Sequence, residues 1–212
     1  ASIPGLAEPT FSCADVTDVL QAECEALVAL YNSTNGSEWT NSDNWLTSTT
    51  VGDWYGVTVS EEHVTIIDLE YNGVSGSLPP QIGDISNLGV LEISSNELSG
   101  SIPAELGNLT KLTILDLNYN ALTGSIPPEL GRLDNLYNLV LQGNQLSGSI
   151  PPELGDLASL VEMDLSRNAL SGGIPAELGN LTNLIYLRLK GNAFTGSIPI
   201  ELGYLAQLEA LD

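Results

Sequence analysis

Charged side chains recur in one register of the sequence, at a constant interval. The register contains Asp68, Glu92, Asp116, Val140, Asp164, Arg188 and Asp212. If these positions lie on neighbouring strands, about 4.8 Å apart, the three leading acids form a stack of like charges. A bound cation, a basic ligand, or solvent and salt would offset their repulsion. The stack of Asp68, Glu92 and Asp116 is therefore a calcium site, a surface for a basic partner or a solvated acidic ladder.

Basic residues are scarce, with 5 Lys and Arg against 27 Asp and Glu, so their positions are informative. Three of them, Arg167, Arg188 and Lys190, fall close together in the repeating register and would form a patch for an acidic or carboxylate-ended ligand. Alternatively, Arg188 bridges Asp164 and Asp212 across neighbouring strands. With tyrosines that would add contact area, the predicted ligand-binding residues are Tyr71, Glu92, Asp116, Tyr119, Tyr137, Arg167, Tyr186, Arg188 and Lys190.

Catalysis has little support in the residue types present. With a single histidine, His63, and two cysteines, the chain has no Ser-His-Asp or Cys-His set, phosphate-binding glycine loop or metal motif. We predict a protein that is not an enzyme and has no cofactor, unless the acidic stack binds calcium. The formal net charge of -22 repels nucleic acid and anionic membranes, and no apolar run reaches the roughly 18 residues of a membrane span.

Leucines divide the sequence into blocks of constant length. They head the blocks at Leu88, Leu112, Leu136, Leu160, Leu184 and Leu208, and a divergent block begins at Val64. The period, which is the difference between positions 88 and 112, never changes, and self-similarity of this kind predicts a solenoid. Within one block, Leu115 and Leu117 alternate as in a short strand with one buried face, and Asn120 follows where the chain must turn away. Stacked blocks would form one parallel sheet with a continuous core, and the asparagines would bond the turn backbone.

The return path of each block, as in LTGSIPPELGRL (residues 122–133), resembles the plant-type leucine-rich repeat. That family includes receptor-kinase ectodomains, polygalacturonase-inhibiting proteins and secreted bacterial and algal proteins, and the resemblance covers residues 64–212. It implies an α/β solenoid, a right-handed superhelix with a parallel concave sheet and an N-terminal helical cap. Peptide-sensing members often hold a ligand carboxylate with an R-x-R pair, which RLK at residues 188–190 resembles with lysine in second place. The resemblance implies an extracellular, non-catalytic module that binds a protein or peptide on its concave face.

Residues 1–63 differ in composition and are predicted to form the N-terminal cap. AECEALVALYNSTNG (residues 22–36) has the pattern of an amphipathic helix, and the tryptophan-rich segment that follows is similar to the cap of the same family. Cys13 and Cys24 form a disulfide between the N-terminal segment and the helix, or remain a pair of buried thiols. A disulfide would indicate an oxidising compartment, extracellular or at the cell surface. A second cysteine pair common in such caps is absent, so the cap would depend more on tryptophan packing.

Two other functions fit the repetition. Near-identical blocks suit a structural or adhesive spacer of a larger cell-surface protein, since a surface selected for one ligand usually differs from block to block. Hydroxyl pairs around successive glycines, such as Ser99 with Ser101, would form regular files that suit an ice-binding solenoid. Residues 64–212 hold six full repeats and the start of a seventh, with no C-terminal cap. We therefore predict further sequence beyond Asp212, and end-to-end or edge contacts through the uncapped end.

Overall fold

The structure is a computed structural model that describes residues 11–212, so the first ten residues of the predicted cap lie outside the described residues. Helix α1 spans Gln21–Ser33. The strands are β1 (Val57–Ser60), β2 (His63–Asp68), β3 (Ser75–Gly76), β4 (Val90–Glu92), β5 (Glu97–Leu98), β6 (Ile114–Asp116), β7 (Thr123–Gly124), β8 (Asn138–Val140), β9 (Gln145–Gly148), β10 (Glu162–Asp164), β11 (Ala169–Gly172), β12 (Tyr186–Arg188), β13 (Ala193–Phe194) and β14 (Ala210–Leu211). Short 3₁₀ helices span Cys13–Asp15, Gly36–Glu38, Val51–Asp53, Pro80–Asp84, Ala104–Asn108, Pro128–Arg132, Pro152–Asp156, Ala176–Asn180 and Ile200–Tyr204.

Eight strands form one sheet, which we call the main sheet, in the order β1-β2-β4-β6-β8-β10-β12-β14. The first pair is antiparallel, and the later neighbours are parallel. Between consecutive parallel strands the chain passes through a short flanking strand and a 3₁₀ helix on the opposite side. The flanking strands pair in two smaller sheets, β3-β5 and β13-β11-β9-β7. The predicted α/β solenoid with a helical cap is thus confirmed.

Stacking buries the apolar face that a short strand cannot bury alone. In β6, Leu115 is fully buried, whereas Ile114 and Asp116 on either side are partly exposed. Leu117, one residue beyond β6, and Leu130 in the following 3₁₀ helix are fully buried as well. Each such side chain contributes roughly 1.5–3 kcal/mol relative to an exposed one. Repeated in every block, these residues form one continuous core from the cap through the repeats.

An asparagine ladder satisfies the backbone where each strand ends. The side chain of Asn144 accepts from the N–H of Leu122 at 3.0 Å and donates to the carbonyls of Leu117 and Leu141 at 2.9 and 3.1 Å. The corresponding residues Asn96, Asn120, Asn168 and Asn192 make equivalent bonds. The prediction that these asparagines bond the turn backbone is confirmed, and the bonds join each repeat to its neighbour.

Glycines allow the 3₁₀ helices of consecutive repeats to touch through their backbones. A Cβ on Gly107 would lie 2.4 Å from the carbonyl oxygen of Glu129, and one on Gly131 would lie 2.3 Å from that of Glu153. The same position recurs at Gly83, Gly155 and Gly179. Because a Cβ does not approach a carbonyl oxygen this closely, the distance between repeats on this side depends on the missing side chain.

The cap closes the first end of the core. The predicted disulfide between Cys13 and Cys24 is present, with the two sulfur atoms 2.01 Å apart. Trp39, Trp45 and Trp54 are buried and pack against one another, with ring centroids 4.9 Å and 4.8 Å apart in successive pairs. Each indole N–H donates to a backbone carbonyl of the cap. The disulfide joins the segment before α1 to the helix, and the tryptophans belong to the continuous core that the cap shares with the repeats.

None of the helices within residues 11–212 has the length and apolar character needed to cross a membrane. In the last repeat, the side chains of Ile198, Ile200 and Tyr204 are 66, 78 and 68% exposed. The predicted end-to-end contact at this end stays a prediction.

Candidate functional site

The main sheet places the charged register on its exposed side, the concave face. Asp68 pairs with Glu92, and Glu92 pairs with Asp116, on directly neighbouring strands. Farther along the sheet, Asp164 pairs with Arg188. The predicted alignment of these residues is confirmed, because the constant period of the sequence keeps every strand in the same register.

The acidic half of the concave face is electrostatically strained. Burial raises the pKa of Glu92, and the negative charges of Asp68, Glu70 and Asp116 raise it further. Glu70 lies just beyond β2 and receives a hydrogen bond from the hydroxyl of Ser94. Ionised carboxylates on neighbouring strands repel one another, and this repulsion lowers the stability of the fold at neutral pH.

Asp116 is the most strongly perturbed of these groups. Burial raises its pKa to about 6; the backbone N–H of Asn118 opposes the rise, while Glu70, Glu162 and Asp164 add to it. The hydrogen bond from Asn118 is 3.0 Å long and holds the carboxylate in place. Near neutral pH, Asp116 is thus ionised in a partly buried and negatively charged setting.

The predicted calcium site has no support from the geometry. Within residues 11–212, no group of three or more His, Cys, Asp or Glu side chains is arranged to hold a metal ion. Asp68 is exposed, while Glu92 and Asp116 are partly buried. The calcium site, the surface for a basic partner and the solvated acidic ladder all stay predictions.

We expect Asp116→Asn to raise the free energy of unfolding at pH 7 by about 1 kcal/mol, allowing for the partial exposure of the group. The pKa of the carboxyl is higher in the folded protein than in the unfolded chain, so its ionisation destabilises the fold, fully so above about pH 6. The lost stability returns as the pH falls from about 6 toward the pKa of the carboxyl in the unfolded chain. The substitution should therefore flatten the change in stability between pH 7 and pH 5 in urea titrations. Asp134→Asn, on an exposed loop, is the control. An unchanged pH dependence in the Asp116 variant would contradict the prediction.

Arg188 pairs with a residue that the sequence prediction did not include. Its Nη1 donates to Oε1 of Glu162 and lies 3.9 Å from Oδ2 of Asp164. Its guanidinium also lies over the ring of Tyr186, 5.0 Å from the centroid. The predicted bridge to Asp164 is present, but the predicted bridge to Asp212 is wrong, since Glu162 is the second partner. A long side chain reaches the diagonal position on the next strand, and this signal could have identified Glu162.

Arg188 also lines a pocket of about 290 Å³ on the concave face. The other lining residues are Gln142, Ser166, Arg167, Lys190, Gly191 and Asp212. The structure thus brings together the three basic residues predicted to bind a ligand. Arg167 and Lys190 are exposed, and in the part of the chain that the structure describes neither has an acidic group within 4.0 Å.

The predicted tyrosines are spread along the sheet instead of gathering at this pocket. Tyr71, Tyr119 and Tyr137 are 76, 46 and 50% exposed, while Tyr186 is partly buried beside Arg188. The ring of Tyr119 lies over the next repeat, where a Cβ on Gly143 would be 2.8 Å from its Cδ1. The tyrosines therefore offer contact area along several repeats.

His63 joins the cap to the repeats. Its Nδ1 lies 2.9 Å from Oε1 of Glu23 in α1, and the other oxygen of Glu23 accepts from the N–H of Val64 at 2.9 Å. Glu23 is only 1% exposed, so it is a buried carboxylate held by two partners. Sequence reasoning missed this contact, although Glu23 lies four residues before Leu27 and seven before Leu30, and this spacing places it on the buried face of α1. The geometry assigns His63 to cap packing.

The flanking strands carry the predicted hydroxyl pairs. Ser99, Thr123 and Ser147 donate to carbonyls of the preceding repeat, namely those of Gly76, Gly100 and Gly124. The file formed by these three residues therefore has its hydroxyl hydrogens directed into the protein. The ice-binding alternative stays a prediction.

Comparison with known proteins identifies the repeats. The Leucine Rich Repeat family model matches residues 87–109, 111–133, 135–157, 159–181 and 183–205. No curated protein sequence matches the chain.

Three solved structures show the same fold over most of the chain. The crystal structure of PEPR1-AtPEP1 is 32% identical with a TM-score of 0.86, over 91% of this chain and 28% of that one. The BIR2 ectodomain from Arabidopsis thaliana is 30% identical with a TM-score of 0.71, over 93% of this chain and 100% of that one. The Arabidopsis receptor kinase HAESA ectodomain, in complex with a peptide hormone ligand, is 30% identical with a TM-score of 0.69, over 91% of this chain and 37% of that one.

The chain thus spans well under half of the PEPR1 and HAESA chains, and all of the shorter BIR2 ectodomain. More than half of its own residues fall in matched repeats, and each of these structures superposes on at least 91% of the chain. The chain therefore belongs to the leucine-rich repeat family, in its plant-type extracellular form.

Proposed function

We propose that the protein is a non-catalytic extracellular recognition module that binds a peptide or an extended protein segment on the concave face of the main sheet. One solved relative holds a peptide hormone ligand, which supports a peptide-binding role. The disulfide between Cys13 and Cys24 supports an oxidising compartment, extracellular or at the cell surface.

The backbone of the concave face carries this proposal. Tyr71, Ser95, Tyr119 and Arg167 have φ angles of 50°, 54°, 48° and 55°, in the left-handed region that favours glycine. In the same register of two other repeats, Gly143 and Gly191 occupy this position. A non-glycine residue costs roughly 1–2 kcal/mol there. Large side chains kept at strained positions indicate a role other than folding, and binding is the role that exposed tyrosine and arginine serve best.

The charges on this face would orient the ligand. Asp68, Glu92 and Asp116 lie on strands near the cap, whereas Arg167 and Lys190 lie in the last repeats. A peptide whose basic part meets the acidic strands and whose acidic end reaches the pocket would bind in one direction only. Complementary charge of this kind contributes more to specificity and association rate than to affinity.

Selection of phage-displayed random peptides on the immobilised native protein tests the proposal. The selected peptides should bind a Tyr71→Gly, Tyr119→Gly, Arg167→Gly triple variant at least about tenfold more weakly, since exposed aromatic and arginine anchors dominate binding energy. Each glycine relieves a left-handed backbone but frees the unfolded chain, so we expect each substitution to change the stability by less than about 1 kcal/mol. Binding would be measured by titration calorimetry.

Arg132→Ala is the matched control, because this exposed arginine lies on a 3₁₀ helix on the opposite side of the solenoid. It should leave the affinity of the selected peptides unchanged. Peptides that bind the triple variant as tightly as the native protein would overturn the concave-face assignment. Failure to select any peptide would instead support the spacer alternative, which the near-identical repeats favour.

A further inference from the structure

The left-handed positions beside the main sheet alternate between large and small side chains. One position per repeat, three residues after the end of each strand from β2 to β12 in the main sheet, forms a file that we call the alternating column. Its members in order are Tyr71, Ser95, Tyr119, Gly143, Arg167 and Gly191, all with φ angles between 48° and 76°. Because the backbone conformation is the same throughout, only the side chains differ. Large side chains therefore recur at every second repeat.

Hydrogen bonds between repeats continue from the strands into this column. The backbone N–H of Tyr71 donates to the carbonyl of Ser94 at 3.2 Å. That of Tyr119 donates to the carbonyl of Gln142 at 2.8 Å, and the remaining members before Gly191 bond the next repeat in the same way. Consecutive members are thus one strand spacing apart, about 4.8 Å. The backbones of successive large residues are therefore about 9.6 Å apart, twice that spacing.

The small members of the column leave room for the large side chains. The ring of Tyr119 lies over Gly143, where a Cβ would be 2.8 Å from its Cδ1. The stem of Arg167 lies over Gly191, where a Cβ would be 3.5 Å from its Cγ. Tyr71 and Tyr119 are 76% and 46% exposed. The large side chains thus form separate exposed ridges, with a gap between each ridge and the next.

A ligand that packs into successive gaps must repeat at the spacing of the ridges. Side chains on one face of an extended strand recur every two residues, about 6.7 Å, and one turn of an α-helix rises about 5.4 Å. In a polyproline II helix, side chains on one face recur every three residues, about 9.3 Å. Over the two intervals from Tyr71 to Arg167, this helix departs from the column by about 0.6 Å, whereas an α-helix with two turns per interval departs by about 2.4 Å.

The charges beside the column differ between its two ends. Asp68 and Glu70 are exposed and precede Tyr71 at the cap end, whereas Arg167 is itself a ridge toward the other end. A cation in the ligand is attracted by the two acids and repelled by Arg167. The column therefore favours a ligand with a basic residue at the end that meets the cap.

We propose that the alternating column binds a proline-rich segment in the polyproline II conformation, with one turn of the segment in each gap and a basic residue beside Asp68 and Glu70. A proline-rich segment adopts this conformation before binding, so it loses little conformational entropy, and exposed aromatic side chains are the surfaces on which such segments dock. The inference rests on the proposed function, and it names the class of peptide that the concave face takes.

Titration calorimetry with synthetic peptides tests the inference at constant ionic strength. The probes are two nonaproline peptides with one arginine at either end, since the segment can lie in either direction, and counterparts in which alternating glycine and serine replace proline. Nonaproline is about 28 Å long, enough to span the roughly 19 Å from Tyr71 to Arg167. The tighter of the two proline peptides should bind the native protein saturably and at least about tenfold more tightly than its glycine-serine counterpart.

A Tyr71→Ser, Ser95→Tyr double variant changes the spacing of the ridges and keeps the composition of the protein. Both positions already carry non-glycine residues, with φ angles of 50° and 54°, so we expect the variant to fold. Its two aromatic side chains would lie one strand spacing apart, and its affinity for the tighter proline peptide should fall about tenfold. Tyr71→Ser alone should lose affinity to a similar extent. Arg132→Ala, on the opposite side of the solenoid, is the control and should bind as the native protein does.

Three results would each overturn the inference: equal affinity of the double variant and the native protein, equal affinity for the proline and glycine-serine peptides, or no saturable binding of any proline peptide. The proposed function fails separately, when randomly selected peptides bind the Tyr71→Gly, Tyr119→Gly, Arg167→Gly variant as tightly as the native protein. Selected peptides that lose affinity in that variant but contain no proline would sustain the proposed function and overturn the polyproline II assignment.

Discussion

Replacing Gly131 with alanine is expected to lower the free energy of unfolding by about 3 kcal/mol, at the upper end of the usual cost of overpacking. The new Cβ would lie 2.3 Å from the carbonyl oxygen of Glu153 and 2.8 Å from its carbonyl carbon. Both are backbone atoms of the next repeat, so the clash cannot be relieved by rotating a side chain. The repeats must separate, and this exposes the leucines packed between them.

Thermal unfolding followed by circular dichroism measures this effect. For a chain of this size, a loss of about 3 kcal/mol lowers the melting temperature by roughly 6–12 °C. Gly203→Ala is a closely matched control, because Gly203 occupies the same position of the last repeat and a Cβ there meets nothing within 4 Å. That variant should be neutral or slightly more stable, since alanine restricts the unfolded chain. Equal melting temperatures for the two variants would contradict the packing argument.

The difference between Gly131 and Gly203 follows from the architecture. In a solenoid each repeat contacts only its neighbours, so stability is close to a sum of repeat and interface contributions. One misplaced Cβ then damages one interface, while the repeats beyond it retain their own contacts. The melting transition of the Gly131 variant should accordingly broaden as well as shift.

Those features of the fold that repeat with the period could be predicted from the sequence. A constant spacing between blocks fixes which side chains meet across strands, so the pairing of Asp68 with Glu92 and of Asp164 with Arg188 follows from counting alone. Asn120 was assigned to the turn for the same reason: a strand that ends must satisfy its backbone. Where the backbone conformation repeats, the position of a residue within its repeat is enough to predict its strand pairing and its turn contacts.

Other features of the site depend on conformations that the period does not specify. Arg188 could have bonded to several acids within reach, and rotamer choice selected Glu162 over Asp212. The left-handed backbone at Tyr119 and Arg167 was not predicted, because the glycines that reveal it stand in other repeats, at Gly143 and Gly191. Reading that register as a column of glycine-favouring positions would have identified its non-glycine members, Tyr71, Ser95, Tyr119 and Arg167, without a structure.

The asparagine ladder leads to the second large effect, a loss of about 3 kcal/mol on replacing Asn144 with alanine. Asn144 is 8% exposed, and its side chain bonds the N–H of Leu122 and the carbonyls of Leu117 and Leu141. Alanine would leave the buried N–H of Leu122 without this acceptor, and an unsatisfied buried group costs about 1–3 kcal/mol. The carbonyls of Leu117 and Leu141 would each lose one donor, worth about 0.5–1.5 kcal/mol, but would keep their bonds from Asn120 and Asn168. Partial relaxation of the turn would recover some of this loss, so we expect the free energy of unfolding to fall by about 3 kcal/mol.

Urea titration gives the change in stability, and hydrogen exchange at the Leu122 amide locates it, since the loss of its acceptor should reduce protection there first. Asn135→Ala is the control: Asn135 is exposed and makes a single bond, to the carbonyl of Thr110 at 2.8 Å, so its loss should cost less than about 1 kcal/mol. If both variants lost the same stability, the ladder would contribute no more than an ordinary surface hydrogen bond. The near-invariance of this asparagine from block to block would then need an explanation other than burial of the turn backbone.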